Sequence, residues 1–208
     1  MVVAAGGGSR FGGRKQFAMI RGRPMLEWAV AASRSAVDGV VLVLPPGEAH
    51  VGTEGCFGAD VVVAGGDSRS ASVRAGLGAV PEEASVVVVH DGARPLATPA
   101  LFATVVRAID DGADAVVPAV AVADTVKRVR AGAVVGSAVR EELMAVQTPQ
   151  AFRAEVLRRA HVGGGEASDD AGLVEALGVT VRVVEGEQRN LKVTTPADLE
   201  LVQAMAGS

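Results

Sequence analysis

A glycine-rich segment near the start of the chain carries the first residues that could do chemistry. In the sequence GGGSRFGGRK, from Gly6 to Lys15, three glycines are followed by Arg10, Arg14 and Lys15. Glycine lets backbone N–H groups approach a ligand closely, and clustered cations favour an anion that is rich in phosphate. The pattern fits a phosphate cradle and a basic structural turn about equally well.

Two common nucleotide-binding motifs do not match this segment. A dinucleotide-binding fingerprint needs a third glycine where this chain has Phe11, although Gly6 and Gly8 fit the first two positions. A Walker A loop needs a Gly-Lys pair, whereas Arg14 precedes Lys15 here. NAD binding and an ordinary P-loop are therefore disfavoured.

A second candidate site follows the most apolar run of the chain, in the sequence VVVVHDGARP that ends at Pro95. In an open parallel sheet, ligands bind beyond the carboxyl ends of the strands. Asp91 would then be placed to hold magnesium and Arg94 to meet an anion. Alternatively, Asp91 caps local amides and Arg94 pairs with a surface acid. His90 is more typical of a structural histidine than of a base.

A third stretch, GGDSRSASV, again joins glycines to hydroxyl residues at the start of a predicted helix. Asp67 and Ser72 could read the edge of a base while the amides of Gly65 and Gly66 approach it. Asp67 could equally be a helix cap, a role that leaves the glycines unexplained.

Two further polar stretches, QTPQ from Gln147 and NLKVT from Asn190, lie near predicted strand ends. Taken alone they carry little information. Thr148 before a proline is consistent with a simple turn, and a single lysine such as Lys192 is most often solvated surface.

Short valine-rich runs alternate with amphipathic stretches along the chain. The runs are continuous in their apolar character, which is typical of parallel strands covered on both faces, and they span 40–44, 60–63, 85–89 and 115–117. Helices are predicted over 24–35, 70–79 and 98–111, then from 168, and from 195 to about 206. This order predicts an α/β fold with a mostly parallel sheet flanked by helices.

One segment departs from this alternation. From 121 to 141, apolar and polar residues alternate around an Ala131-Gly132 turn signal, which predicts a two-stranded antiparallel hairpin. A lone hairpin is marginal in water, so this one is expected to pack against its own domain or against a second subunit. The pattern leaves both possibilities open.

Composition restricts the class of protein. A chain of 208 residues that is 49% apolar predicts one domain with a sizeable core. The net charge is -4 and the cations are scattered, which argues against a nucleic-acid partner. Cys56 is the single cysteine, so an internal disulfide and a cysteine zinc cluster are both excluded. Since neither a membrane span nor a secretory leader is indicated, we expect a soluble, cytoplasmic protein.

The motifs gain weight when they are taken together and in order. They are AAGGGSR with Lys15-Gln16, GGDSRSASV, VHDGARP, Asp124-Thr125, TPQAF, SDDAG and NLKVTTPADL, and they span nearly the whole chain. In this order they closely resemble the 2-C-methyl-D-erythritol 4-phosphate cytidylyltransferase family. The resemblance implies a Rossmann-like nucleotidyltransferase fold, one domain over 1–208, and a homodimer clasped by a protruding β-arm at 121–142. It also implies transfer of CMP from CTP to a sugar-alcohol phosphate, with release of pyrophosphate, in non-mevalonate isoprenoid biosynthesis.

The resemblance also implies roles for individual residues. Nucleotide binding is implied for Ala4, Ala5, Gly6, Gly8, Gly66, Asp67, Ser72, Asp91 and Gly92. Catalysis at the phosphates is implied for Arg10, Lys15 and Lys192, and Asp91 is expected to hold Mg²⁺ as a cofactor. The acceptor is expected to meet Arg94, Thr125, Thr148 and Lys192, together with Arg140 from the hairpin of a second subunit. That assignment would give the hairpin its function.

The chain departs from the family pattern in two informative places. The glycine loop is shorter, with Gly12-Gly13-Arg14 before Lys15, which affects where Arg10 lies. Some members use a second acidic metal ligand before the late lysine, and Glu187 is the nearest candidate. Two alternative functions stay open from the residues: a ribitol 5-phosphate cytidylyltransferase of the same fold, and a non-catalytic nucleotide-binding dimer.

Overall fold

The computed structural model describes residues 1–8, 11–49 and 57–207. Its strands are β1 (Val2–Val3), β2 (Met19–Ile20), β3 (Arg23–Pro24), β4 (Val41–Leu44), β5 (Val61–Ala64), β6 (Val86–Asp91), β7 (Ala115–Ala121), β8 (Lys127–Arg130), β9 (Ala133–Ser137), β10 (Met144–Val146), β11 (Gln150–Arg153) and β12 (Val181–Glu185). Its α-helices are α1 (Met25–Arg34), α2 (Arg69–Leu77), α3 (Pro99–Asp110), α4 (Ala154–His161), α5 (Asp170–Glu175) and α6 (Pro196–Met205).

A central sheet organises the described residues. The strand order of this sheet is β12-β7-β11-β6-β1-β4-β5. Strand β10 also pairs with β7, on the same side as β11 but further along β7. Strands β6, β1, β4 and β5 are parallel neighbours, whereas β10 and β11 run against the rest. The carboxyl ends of the parallel strands therefore meet at one edge, where a ligand site is expected.

Alternation along the buried strands divides the core into layers. Val41 and Val43 of β4 belong to an apolar cluster with Val73 of α2, and Leu42 and Leu44 belong to a separate cluster with residues of α1. Successive side chains of a strand point to opposite faces, so a continuous apolar run can be buried on both sides. This is the physical reason that valine-rich runs became the central strands.

Helix starts follow the capping chemistry that the sequence predicts. Thr98 accepts a hydrogen bond from Leu101 N ahead of α3, and Pro99 is the first helical residue. Thr195 and Asp198 form a capping box at the start of α6. At α2 the cap is Ser68, whose hydroxyl accepts from Ala71 N, so the alternative that Asp67 caps this helix is wrong.

The predicted hairpin is present as β8 and β9, which form a separate antiparallel pair. Ala131 and Gly132 have positive φ angles of 48° and 79°, as a tight hairpin turn requires. Every residue of the two strands is exposed except the half-buried Gly136. The alternative that the hairpin lies on its own sheet is therefore wrong, and its valines face outward from this chain.

The predicted α/β fold with a mostly parallel sheet is confirmed. The predictions omitted β10, β11 and β12, together with α4 and the small β2-β3 pair. Strand β11 has the sequence QAFR, which lacks an apolar run, and β12 alternates in a way that is equally typical of a surface segment. In the described part of the chain, no helix is long and apolar enough to cross a membrane.

Candidate active site

A cleft of about 200 Å³ opens at the carboxyl ends of β1, β5 and β6. It brings together ten of the residues that the sequence predicted: Ala4, Ala5, Gly6, Lys15, Gly66, Asp67, Ser72, Asp91, Gly92 and Lys192. They come from segments almost two hundred residues apart, and the parallel sheet places them at one edge. The remaining lining residues are Val3, Gln16, Met25, Ser68, Arg69 and Ala93.

Two kinds of glycine surround the cleft. A Cβ on Gly65 would lie 2.4 Å from Ala5 Cβ, and one on Gly66 would lie 2.6 Å from Ala71 Cβ, so packing requires glycine there. A Cβ on Gly6 or Gly7 would have no atom of the described residues within 4 Å apart from its chain neighbours, and neither residue has a positive φ. The fold gives no reason for glycine at these two positions, whereas the close approach of a ligand to the backbone would.

Gly8, the remaining predicted glycine, has a different explanation. Its φ is 67°, and an added Cβ would lie 1.9 Å from Gly13 O. The loop itself therefore requires this glycine, and Gly8 is absent from the described residues that line the cleft. The prediction that Gly8 contacts the nucleotide receives no support from its position.

Asp91 ends β6 and carries the buried carboxylate of the cleft. Lys192 Nζ donates to Oδ2 at 2.5 Å, and Arg69 Nε lies 3.4 Å from Oδ1. Burial alone would raise the pKa of this carboxyl, but the charges of Lys192 and Arg69 outweigh burial and lower its pKa to about 2. Asp91 is therefore ionised at every physiological pH.

A hydrogen-bonded pair behind Asp91 fixes the end of β6. Thr148 Oγ1 accepts from Asp91 N at 3.0 Å and lies 3.1 Å from His90 Nδ1. His90 Nε2 lies 3.1 Å from the carbonyl oxygen of Arg94, so this nitrogen carries the proton and Thr148 donates to Nδ1. Burial of the ring lowers the pKa of His90 to about 4, which keeps it neutral. His90 is thus the structural histidine that was predicted.

The hydroxyl of Thr148 is committed to these two contacts, and Thr148 is buried behind the cleft lining. Arg94 also lies outside the lining, because its guanidinium donates to Asn190 O at 2.7 Å and to Val146 O at 3.4 Å. Burial lowers the pKa of Arg94 from its ordinary value. Neither residue lines the cleft in this chain, and their contact with the acceptor stays a prediction.

Lys15 begins a short 3-10 helix, Lys15–Phe17, and its Nζ donates to Val193 O at 2.8 Å. This bond draws the glycine loop towards the segment that carries Lys192, and both lysines line the cleft. Arg10, the other predicted phosphate ligand of the loop, lies outside the described residues, as does Cys56.

Ser72 supports the base-reading corner that the sequence predicted. Its Oγ accepts from Gly66 N at 3.2 Å and donates to Ser68 O at 2.8 Å. The hydroxyl therefore shapes the Gly65-Gly66 turn from behind. Asp67, which is not the helix cap, lines the cleft beside this turn.

Thr125 and Arg140 lie at the base of the hairpin and are exposed. Arg140 Nη1 donates to Ala123 O at 3.1 Å, and neither residue is among the described residues that line the cleft. Within one chain, the structure does not bring these two predicted acceptor ligands to the site.

Among the described lining residues that the sequence did not predict, Arg69 is the charged one. Its guanidinium lies between two carboxylates, with Nη1 2.8 Å from Asp170 Oδ2 and Nε near Asp91. Burial alone would lower its pKa, yet Asp170 and Asp91 together raise it. The position of Arg69 in the sequence gives one indication of its role. It is the first residue of α2, where a cation is disfavoured by the helix dipole, so a nearby negative charge is needed to stabilise it.

The residues present fit a magnesium ion that arrives with a substrate. Mg²⁺ is usually held by one or two carboxylates together with water and substrate phosphates, and Asp91 offers one ionised carboxylate in the cleft. Across the described ranges, no group of three or more His, Cys, Asp or Glu residues could hold a metal without a substrate.

Glu187, the suggested second ligand, is engaged elsewhere. Its carboxylate accepts from the backbone N–H and the hydroxyl of Thr98, at the start of α3. A carboxylate at a helix amino terminus is stabilised by the unpaired N–H groups there. The structure therefore assigns Glu187 to the α3 cap, and the prediction of a metal ligand is wrong for this conformation.

Comparisons with known proteins identify the family of the chain. The sequence model of the family IspD: 2-C-methyl-D-erythritol 4-phosphate cytidylyltransferase matches residues 1–208. A 2-C-methyl-D-erythritol 4-phosphate cytidylyltransferase of Rhodococcus opacus is 48% identical, with 99% of this chain and 93% of the relative covered. The enzyme of that name from Frankia casuarinae is also 48% identical, over 99% of this chain and 79% of the relative.

Solved structures extend the similarity to the backbone. The crystal structure of 2-C-methyl-D-erythritol 4-phosphate cytidylyltransferase from Thermus thermophilus has a TM-score of 0.85 at 39% identity, and covers 100% of this chain and 98% of its own. The structure of 4-diphosphocytidyl-2C-methyl-D-erythritol synthase from Anaerococcus prevotii has a TM-score of 0.84 at 28% identity, with 100% and 96% covered. The similarity is therefore not confined to the motifs.

Proposed function

Because the chain belongs to the 2-C-methyl-D-erythritol 4-phosphate cytidylyltransferase family, it transfers CMP from CTP to 2-C-methyl-D-erythritol 4-phosphate, and we propose that the cleft is where this transfer occurs. The products are 4-diphosphocytidyl-2-C-methyl-D-erythritol and pyrophosphate, and the reaction belongs to non-mevalonate isoprenoid biosynthesis. One observation carries the proposal. Lys15, Lys192 and the ionised Asp91 line one cleft with Gly6, whose lack of a side chain nothing in the fold requires.

The proposal places the nucleotide along the glycine-bearing ends of β1 and β5. The backbone around Ala4, Ala5 and Gly6 would approach the phosphates and ribose, and the Gly66-Asp67 turn would face the base. Backbone amides are suitable because they are fixed before the ligand arrives and lose no side-chain entropy on binding. Ser72 accepts a hydrogen bond from Gly66 N and so fixes the shape of this turn, and the Gly66 N–H is therefore not the amide that is offered to the base.

Charge repulsion is the main obstacle to the reaction. The acceptor phosphate oxygen attacks the α-phosphorus of CTP in line; the new O–P bond forms as the bond to the β-phosphate oxygen breaks, and pyrophosphate leaves with that electron pair. A phosphate monoester is already a nucleophile at neutral pH, so no general base is needed. Catalysis then consists of positioning and of stabilising the negative charge that develops.

Lys15 and Lys192 are proposed to supply the stabilising charge. Both side chains line the cleft beside the buried Asp91, where an ionic contact is worth more than on the open surface. Lys192 is the more adaptable of the two contacts to Asp91, since its side chain is 42% exposed and can move from the carboxylate to a phosphate. Arg10, which belongs to the same glycine loop as Lys15, is proposed to act with them.

Asp91 is the proposed holder of the magnesium ion. When bound, the ion would neutralise charge on the triphosphate and on the departing pyrophosphate. The residues of the chain prepare for it in two ways: the charges of Lys192 and Arg69 keep Asp91 ionised, and Thr148 fixes the backbone from which the carboxylate extends.

We further infer a homodimer in which the arm, defined as 121–142, completes the acceptor site of the opposite subunit. The arm exposes Val129, Val134 and Val135 at 61%, 63% and 59%, an apolar surface that is costly to leave in water. Thr125 and Arg140 stand at the base of the same arm, away from their own cleft. Residues 1–208 would then act as one cytidylyltransferase domain per subunit.

Pyrophosphate release tests the proposed site. We expect CTP, 2-C-methyl-D-erythritol 4-phosphate and magnesium together to give pyrophosphate, with ribitol 5-phosphate as the control acceptor and the other nucleoside triphosphates as control donors. Asp91→Asn should lower turnover by about a hundredfold, the usual cost of removing a charged group at the reacting phosphates. Near-normal turnover of Asp91→Asn at saturating magnesium would show that the transfer occurs elsewhere.

A further inference from the structure

A buried carboxylate behind the cleft has no role in the reaction described so far. Asp170 is the first residue of α5, and its side chain is 0% exposed. Its Oδ1 lies 3.0 Å from His161 Nε2, and its Oδ2 lies 2.8 Å from Arg69 Nη1. A carboxylate removed from water is costly unless it is paired, so this arrangement requires a compensating benefit.

Arg69 connects this buried carboxylate to the cleft. It lies at the amino terminus of α2, where the helix dipole disfavours a cation, and its side chain is only 22% exposed. Asp170 at one end and Asp91 at the other hold the guanidinium in place. A guanidinium presents its donors in a rigid planar fork, so it can contact two carboxylates with a fixed geometry, whereas an ammonium group is a point charge on a flexible stem.

The two cations beside Asp91 therefore differ in freedom. Lys192 is 42% exposed and can leave Asp91 when phosphates enter the cleft, whereas Arg69 is held from behind by a fully buried partner. Once Lys192 has moved, Arg69 is the remaining fixed contact of the Asp91 carboxylate. A metal-binding carboxylate needs to be held within about 0.5 Å of its working position.

We propose that Asp170 is a positioning residue: it holds Arg69, and Arg69 in turn fixes the Asp91 carboxylate for the magnesium-bound nucleotide. The inference rests on the proposed function of Asp91. It gives a purpose to the SDDAG motif, in which Asp169 caps α5 through Gly172 N and leaves the next aspartate to reach Arg69.

Asp170→Asn tests this role, because it removes the charge that holds Arg69 and keeps the size of the side chain. We expect turnover to fall by about tenfold or more, with the KM for methylerythritol phosphate changed by less than about threefold. The affinity for CTP in magnesium, measured by calorimetry without acceptor, should weaken by about tenfold, and by much less in EDTA. Arg69→Lys should show the same pattern.

His161→Gln is the matched control. His161 contacts Oδ1 of the same carboxylate whereas Arg69 contacts Oδ2, so the loss of His161 disturbs the buried cluster without releasing the guanidinium. We expect a lower Tm, with turnover and CTP affinity within about twofold of the wild type. If His161→Gln loses turnover and CTP affinity as Asp170→Asn does, Asp170 acts only through stability and the inference is wrong.

Two further outcomes separate this inference from the proposed function. If Asp91→Asn keeps turnover and magnesium-dependent CTP binding, the proposed site itself is wrong. If Asp91→Asn loses both while Asp170→Asn and Arg69→Lys keep both, only the positioning role fails. If Asp170→Asn does not fold, Arg69→Lys alone tests the positioning role, because the Arg69 side chain is less buried than that of Asp170.

Discussion

Acid should destabilise this protein through one histidine that lies directly behind the site. His90 is 0% exposed, accepts a hydrogen bond from Thr148 at Nδ1, and has its pKa lowered to about 4 by burial. In the unfolded chain its pKa returns to the ordinary value of 6.5. Between these two values the unfolded state binds a proton that the folded state does not, so stability must fall as the pH falls.

The size of the effect follows from the two pKa values. Neutral His90 favours the folded state fully above pH 6.5, and this contribution decreases as the pH falls towards 4. The complete loss corresponds to about 3 kcal/mol, of which about 2 kcal/mol is already lost at pH 5. For a domain whose whole stability is about 5–15 kcal/mol, this is a large fraction.

Urea unfolding of the wild type and of His90→Gln between pH 7.5 and 4 measures this contribution. The variant removes the titrating ring, so the pH dependence of the difference between the two unfolding free energies reports His90 alone. We expect the wild type to lose about 2 kcal/mol relative to the variant between pH 7 and pH 5. A difference that stays constant over this range would refute the assignment of a buried, neutral His90.

Three further predictions concern the site and the arm. Lys192→Gln should lower turnover by about a hundredfold in the pyrophosphate assay. Arg159→Gln, on the exposed side of α4, is the control and should leave turnover unchanged. Equal rates for the two variants would contradict the charge-stabilising role of Lys192. Gly6→Ala should weaken CTP binding without lowering Tm. Gly65→Ala should lower the unfolding free energy by about 1–3 kcal/mol, because its Cβ would meet Ala5. A destabilised Gly6→Ala beside a stable Gly65→Ala would overturn the distinction between the two glycines. Val134→Asp in the arm should give monomers in sedimentation velocity. Val162→Asp, at an exposed valine outside the arm, is the control and should remain a dimer. If both variants are dimers, the interface lies elsewhere.

Local signals in the sequence predicted the elements that carry the site. Apolar runs identified the central strands, and the capping pairs before α3 and α6 marked helix starts, because both depend on residues close together in the chain. Strand β11 was missed because its QAFR sequence has no periodic signal, and its pairing with β6 and β7 is decided by segments far away. The same limit applies to Glu187, because no local pattern indicates its contact with Thr98 at the start of α3.

The sequence by itself determined which chemical groups are available: glycines without a local packing reason, an aspartate after a buried strand, and cations suited to phosphate. Only the tertiary structure decided which of them meet. Lys192 reaches Asp91 across 101 positions of sequence, and Arg69 joins Asp91 to a buried Asp170 that shares no motif with it. Such contacts depend on how the parallel sheet stacks distant strand ends at one edge, and no short-range pattern records that arrangement.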